Sequence, residues 1–302
     1  MAKNSSANSA RKRIAACSFA LSACALGALW PASAADEQSM PNFAPDSGTG
    51  WVSKGQDFFP PPSGPGPVSA DPAHPRITND DFRATGKQPS RPLADLRNPI
   101  LQPWVREELK KRNDFVLSGK QAYTPKERCW PIGVPGWLLY PVQPVYFVQA
   151  PKEVVMIWAE DHQVRRVYLN QQHAAPVKPS WFGESIGHYE GDTLVVDTIG
   201  MNRKTFIDSF LTPHTDKLHV VERYRMIDGG KTLEVKLHVE DPGAFTTPWD
   251  AIQLYRRVDA KGSATDVRGM GGPLEEMACA ENNGDRFDEG LDPIPTALTP
   301  DF

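Results

Sequence analysis

Between positions 145 and 258 apolar and polar residues alternate in short runs, and turn-forming residues separate the runs. A period of two with such punctuation is the signature of strands that bury one face of a sheet. The pattern predicts eight strands, at 145–149, 153–159, 163–169, 184–190, 193–199, 218–226, 231–240 and 251–258. Gly191-Asp192 and Asp228-Gly229-Gly230 supply the residues that tight hairpin turns need. The expected fold is therefore mainly β: an antiparallel meander over 101–260 that closes as a lipocalin-like barrel or folds as a sandwich.

Two hairpins can be registered by hand. Pairing Met226 with Lys231 sets Leu218 opposite Val239, Val220 opposite Leu237 and Tyr224 opposite Leu233 on one face, with Arg223 opposite Glu234 and Val221 opposite Lys236 on the other. The apolar face goes inward and takes Glu222 with it, among Leu218, Val220, Tyr224 and Val235. A buried carboxylate requires a partner or a proton. Arg166, flanked by Val164 and Tyr168 on the set taken as inward, is the expected partner, either as a structural ion pair or as a polar anchor for a ligand inside the barrel. The same register sets His219 across from His238 on the outer face. Such a pair has the ligand chemistry for a shared metal, although solvation alone explains it. The hairpin at Glu190-Gly191-Asp192-Thr193 pairs His188 with Val195 and Ile186 with Asp197. Neither face is purely apolar, so this hairpin is expected to be covered on both sides by the preceding Pro-rich segment.

That segment, 35–100, centres on Pro60-Pro61-Pro62-Ser63-Gly64-Pro65-Gly66-Pro67, which excludes helix and central strand. Trp51, Phe58, Phe59, Ile77, Phe82 and Leu93 interrupt it and mark an extended arm that wraps the domain. One short amphipathic helix is expected at 103–113, opened by Pro103. Cys129 to Trp137 form an irregular, aromatic entry to the sheet. The tail 261–302 is rich in Gly, Asp and Pro, with at most a helical turn at 274–277.

Residues 1–34 read as a secretory signal peptide: Arg11-Lys12-Arg13, an apolar run from Ile14 to Trp30, and Pro31-Ala32-Ser33-Ala34 as cleavage site. The expected compartment is the periplasm. A rival reading takes Leu21-Ser22-Ala23-Cys24 as a lipoprotein box with Cys24 lipidated, but Ala25 to Trp30 would make an apolar start for a solvated tether. No later segment is apolar for long enough to span a membrane. Cleavage removes Cys17 and Cys24 and leaves Cys129 and Cys279, an even pair that predicts one disulfide. It also removes Lys3 and three arginine or lysine residues, making the chain more acidic than its net charge of -4. Nucleic acid is therefore not an expected partner.

No nucleophile elbow, phosphate loop, metal signature or nucleotide fingerprint stands in the 302 residues, and no cofactor is expected. Candidate acid-base residues are His214, Asp216, Glu222 and His188, as histidines near carboxylates. Candidate ligand contacts are Arg166, Glu222, Tyr224, Trp158 and Trp181, with Trp130, Trp137 and Trp249 also expected at the barrel mouth. The readings that compete are a binding protein for a small, partly apolar ligand, a hydrolase or lyase, and a module whose arm docks another protein.

The run Trp181-Phe182-Gly183-Glu184-Ser185-Ile186-Gly187-His188-Tyr189-Glu190-Gly191-Asp192-Thr193-Leu194-Val195-Val196-Asp197-Thr198 resembles a motif of a widespread group of uncharacterised secreted bacterial proteins. The likeness continues at Pro213-His214-Thr215-Asp216, at Glu222-Arg223 and at Asp241-Pro242-Gly243-Ala244-Phe245-Thr246-Thr247-Pro248-Trp249. The chain departs from that pattern at Tyr189 and His188. The resemblance implies a secreted β-rich module and assigns no reaction.

Overall fold

The computed structural model describes residues 40–46, 48–120, 125, 129–139, 144–159 and 162–258. The leader, the tail, the turn expected at 274–277 and Cys279 lie outside the described residues. The architecture is a closed nine-stranded barrel. In chain order its strands are β1 (Gly50–Ser53), β2 (Val145–Ala150), β3 (Glu153–Trp158), β4 (Gln163–Leu169), β5 (Glu184–Glu190), β6 (Thr193–Ile199), β7 (His219–Ile227), β8 (Thr232–Glu240) and β9 (Trp249–Val258). The barrel alternative is thus the one adopted, and the eight expected strands stand where the alternation placed them.

The ninth strand comes from the arm. β1 pairs antiparallel with β2 at Gly50 opposite Tyr146, and with β9 from Gly50 opposite Val258 to Ser53 opposite Tyr255, so it closes the ring. An odd ring of strands cannot alternate in direction at every step. One neighbouring pair must run parallel, and it is β4 with β5, Val167 facing Ser185 and Leu169 facing Gly187. Parallel neighbours need a crossover rather than a hairpin, and residues 170–183 supply it. Gly187 is required at this seam, because a Cβ there would lie 2.8 Å from Val167 Cγ1 and 2.9 Å from the Val195 carbonyl oxygen. The simple antiparallel meander is revised to this extent.

Inward positions along the strands carry Trp51, Phe147, Met156, Trp158, Val167, Leu194, Val196, Val220, Tyr224, Val235, Leu237, Val239 and Trp249, all buried. Removing Trp51 alone from water is worth roughly 4–6 kcal/mol for an indole-sized surface. Its indole N–H donates to the Phe43 carbonyl at 2.8 Å, and Phe43 stacks on Phe147 with ring centroids 5.1 Å apart. Of the arm's expected anchors, Trp51, Phe58 and Leu93 are buried, whereas Phe59 and Phe82 remain exposed.

Among the described residues two α-helices accompany the barrel. α1 (Asn79–Thr85) is a single capped stretch in which the Thr78 hydroxyl accepts from the Asp81 N–H and the Asp81 carboxylate accepts from the Thr78 N–H. α2 (Pro103–Leu117) runs one turn past its expected end. Val105, Leu109 and Asn113, four residues apart, form its buried line, and Asn113 bonds both the N–H and the carbonyl of Ala94. Trp104 donates to the Gly243 carbonyl at 2.6 Å, joining helix, arm and the Asp241-Pro242-Gly243 turn.

The β5–β6 register is the one expected, with His188 opposite Val195 and Ile186 opposite Asp197. The β7–β8 register differs by two residues: Met226 faces Leu233, Val221 faces His238 and His219 faces Glu240. The turn uses Asp228–Gly230 in a 3-10 conformation plus Lys231, so pairing starts at Ile227 with Thr232. A slip of two preserves the faces. Glu222 therefore does point inward, but His219 and His238 are not a cross-strand pair.

Candidate ligand-binding cleft

The buried carboxylate has a partner, and it is Arg165 rather than Arg166. On β4 the inward set is Arg165, Val167 and Leu169; Val164, Arg166 and Tyr168 face out. Arg166 is exposed and pairs with Glu153. Arg165 and Glu222 form a bidentate pair in which the two side chains are 1% and 0% exposed. Arg165 also donates to Ser185 Oγ at 3.1 Å and Thr198 Oγ1 at 2.8 Å, Tyr224 Oη donates to Glu222 Oε1 at 2.8 Å, and the Trp137 ring lies 5.2 Å from the guanidinium. Burial opposes the Arg165 charge, but Glu222 and Tyr224 beside it hold its pKa above the ordinary value. Burial, then the Glu222 charge, pushes the Tyr224 phenol well up. Arg165, Glu222, Ser185, Thr198 and Tyr224 all find partners, whereas Trp137 Nε1 is buried without one among the described residues, so the five form a rigid polar plug among packed aromatics.

The other sequence candidates do not converge on one another. His214 is buried with both nitrogens engaged, Nε2 with Thr205 Oγ1 at 2.8 Å and Nδ1 with the Thr215 carbonyl at 2.8 Å. Burial lowers its pKa, so it is a neutral imidazole that donates from Nδ1. Asp216 is exposed in the loop beyond it. The carboxylate that organises that loop is Asp241, which accepts from the Thr215 N–H and hydroxyl at 2.6 Å each and from the Gly243 N–H. His188 sits on the outer face against Glu190. Trp158 and Trp249 are packed inside the barrel, Trp137 beside them is buried, and Trp130 and Trp181 form a tilted surface pair 5.6 Å apart. Among the described residues no three His, Cys, Asp or Glu side chains are grouped to hold a metal ion, and no helix is long and apolar enough to cross a membrane.

A cleft of about 740 Å³ opens where the arm crosses the barrel rim beside the end of α2. Lys54 follows β1 directly; Arg76 and Ile77 precede α1 and Asp80 stands in its first turn; Pro89, Arg91 and Pro92 come from the arm's return; Val116 and Lys120 close the α2 side. Among the described residues four cations thus share the lining with one carboxylate, Asp80, which pairs with Arg83 at 2.5 Å, while Arg76 reaches Asp57 outside the lining. Arg91, Pro92 and Val116 also line a small hollow of about 20 Å³, with Arg112, Ser209, Phe210 and Leu211. Arg112 stacks over the Phe206 ring at 4.6 Å and its Nε is buried without a hydrogen-bond partner among the described residues. Burial lowers the pKa of both Arg76 and Arg112, which is the mark of guanidinium groups short of solvation.

Behind the hollow lies a tight loop built on Asp208. Its carboxylate accepts from the Phe210 and Thr212 N–H groups and the Thr212 hydroxyl, holding Leu211 at a φ of 61° that a side chain of this size rarely adopts. Burial raises the Asp208 pKa to about 6. Ser209 donates to Asp57 Oδ1 at 2.5 Å, and Arg76 reaches Asp57 Oδ2 at 3.4 Å. Sequence reasoning missed this constellation because its members come from five separate segments, none carrying a local motif. No compositional signal marked it either, since the Pro-rich arm is no richer in Arg and Lys than the rest of the chain.

No protein-family model, curated protein or solved structure matches the chain.

Proposed function

We propose that this is a secreted binding protein for a small, partly apolar, anionic ligand, held in the cleft between the arm and α2 rather than inside the barrel. The reading rests on the lining: Lys54, Arg76, Arg91 and Lys120 around Ile77, Pro89, Pro92 and Val116, with a single carboxylate that is already paired. Apolar walls with a few convergent charges fit a ligand that carries an acidic group on a hydrocarbon or aromatic body. The barrel interior is unsuited to the role, since the Arg165–Glu222 plug and the packed indoles occupy it. The secretory pattern read at 1–34 and the resemblance to secreted bacterial β-rich proteins support a periplasmic setting for this activity.

The test uses 8-anilinonaphthalene-1-sulfonate, an anion on an aromatic body. Titration of the full chain is expected to give one saturable fluorescence enhancement that weakens with salt. Charge reversal at Lys54 or Lys120 is expected to weaken it about tenfold, the equivalent of about 1.4 kcal/mol. Unchanged affinity in both variants, with circular dichroism showing them folded, refutes the assignment.

A further inference from the structure

The outer face of the barrel carries an unbroken row of alternating carboxylates and imidazoles. Glu184 on β5 meets His173 Nδ1 at 2.9 Å, and His173 Nε2 meets Asp197 on β6 at 3.0 Å. The same Asp197 oxygen meets His219 Nε2 on β7 at 3.0 Å, and His219 Nδ1 lies 3.6 Å from Glu240 on β8. Glu240 then meets His238 Nε2 at 3.0 Å, and His238 Nδ1 meets Asp250 on β9 at 2.7 Å. All three imidazoles are thus flanked by carboxylate oxygens at both nitrogens. A neutral imidazole has one N–H and one lone pair, so only the imidazolium can donate on both sides. In the neutral form one nitrogen lone pair faces a carboxylate, and the contact turns repulsive.

One member, His173, is not on a strand. It belongs to the β4–β5 crossover, and with the Ala174 N–H, which donates to Glu184 at 2.7 Å, it ties the middle of that crossover to the sheet. The crossover's ends are fixed independently, by the Asn170 N–H on the Gly187 carbonyl and by the Ser180 and Asn202 N–H groups in the isolated bridge between Ser180 and Met201, just past β6.

We propose that this row is a proton-operated clasp, which pins residues 171–179 to the outer sheet while the row is charged and releases them as His219 and His238 lose their protons. Other outer-face charges on these strands do not interrupt it: Arg223 pairs with Glu190, Arg225 with Asp192, and Lys236 with Glu234. The sign follows from the neighbours. The Asp197 hydrogen bond, reinforced by Glu240, raises His219 despite partial burial. Burial opposes the charge on His238, but Asp250 and Glu240 outweigh it and raise it also. A raised imidazole contributes fully below its ordinary 6.5 and loses its contribution as pH rises through the folded value. The histidines lower Asp197 and Glu240, so their contribution persists above the ordinary carboxylate range and fails only as pH falls through the lowered values. The clasp is therefore closed between about pH 4.5 and 6.5 and opens on the alkaline side.

Hydrogen–deuterium exchange of the full chain at pH 5.5 and 8.5, corrected for intrinsic exchange, reads this directly. Peptides covering 171–179 are expected to lose at least tenfold in protection at the higher pH while β8 peptides do not. H173Q is expected to exchange in this segment at pH 5.5 as the wild type does at 8.5, and H188Q, outside the row, to keep the wild-type response. In the unmodified protein, NMR titration of the imidazoles is expected to give midpoints above 6.5 for His219 and His238. Equal protection at both pH values, a full pH response in H173Q, or midpoints at or below 6.5 overturns the clasp.

Discussion

Replacing Arg165 by Met removes the charge partner of Glu222 while filling much of the same space. The remaining carboxylate is 0% exposed and keeps one side-chain donor, Tyr224 Oη, in place of the bidentate guanidinium. Breaking a buried pair from one side costs about 3–5 kcal/mol, because the orphaned charge stays desolvated. At roughly 2–4 °C per kcal/mol for a chain of this size, the melting temperature should fall by about 6–20 °C. The double variant R165M/E222L removes both charges. Ser185 and Thr198 still bond each other at 3.0 Å, and the loss left over is the Tyr224 hydroxyl without its acceptor, about 1–3 kcal/mol. Equilibrium urea unfolding, followed by tryptophan fluorescence and checked for reversibility, should place the double variant closer to wild type than R165M. A double variant as unstable as the sum of the two single changes would refute the claim that the pair acts as a unit.

Two further outcomes follow from the same geometry. Asp208 has a folded pKa of about 6 against an ordinary 3.8, so it contributes stability when protonated and that contribution is lost as pH rises from 3.8 through about 6. Asp208→Asn, whose amide can serve the same N–H and hydroxyl groups, should be more stable than wild type above pH 6, by up to about 3 kcal/mol, and the gain should vanish near pH 4 in a melting series; a pH-independent difference would contradict this. Deleting residues 35–100 removes β1 and exposes the edges of β2 and β9, so the product should lose its near-ultraviolet circular dichroism and aggregate, whereas a soluble monomer with native signal would show that β1 does not close the barrel.

Strand positions were legible because each strand from β2 to β9 buries one alternating set of side chains, and that set is written in the sequence. What escaped is what a period of two does not encode. Choosing the inward set of β4 required weighing Val167 and Leu169 against Val164 and Tyr168; an aromatic and an aliphatic looked equivalent to two aliphatics, and the wrong choice put Arg166 where Arg165 stands. The β7–β8 slip came from a turn residue, Lys231, that the strand pattern absorbed. β1 was invisible for a different reason: four residues, from Gly50 to Ser53, inside a Pro-rich segment, are too few to show alternation. The outer row of histidines and carboxylates spans five strands and a crossover, so only the fold assembles it.

β1 also explains why the cleft exists. A barrel built from β2 to β9 alone would leave β2 and β9 as open edges, and the arm must enter the ring to close it. The chain leaves β1 at Lys54 on the rim and has to reach α2, whose Asn113 holds Ala94 and whose Trp104 donates to the Gly243 carbonyl. The Pro-rich path between those two points forms only the short α1 and isolated bridges at Phe59 and Ala70, so most of it spans the rim as extended loop. Space is left beneath it, lined by whatever charges the arm carries. Closing the barrel with a borrowed strand and forming a cationic cleft at its edge are therefore one structural event, and substitutions that loosen β1 should weaken 8-anilinonaphthalene-1-sulfonate binding at the proposed site even when they touch no residue of the cleft.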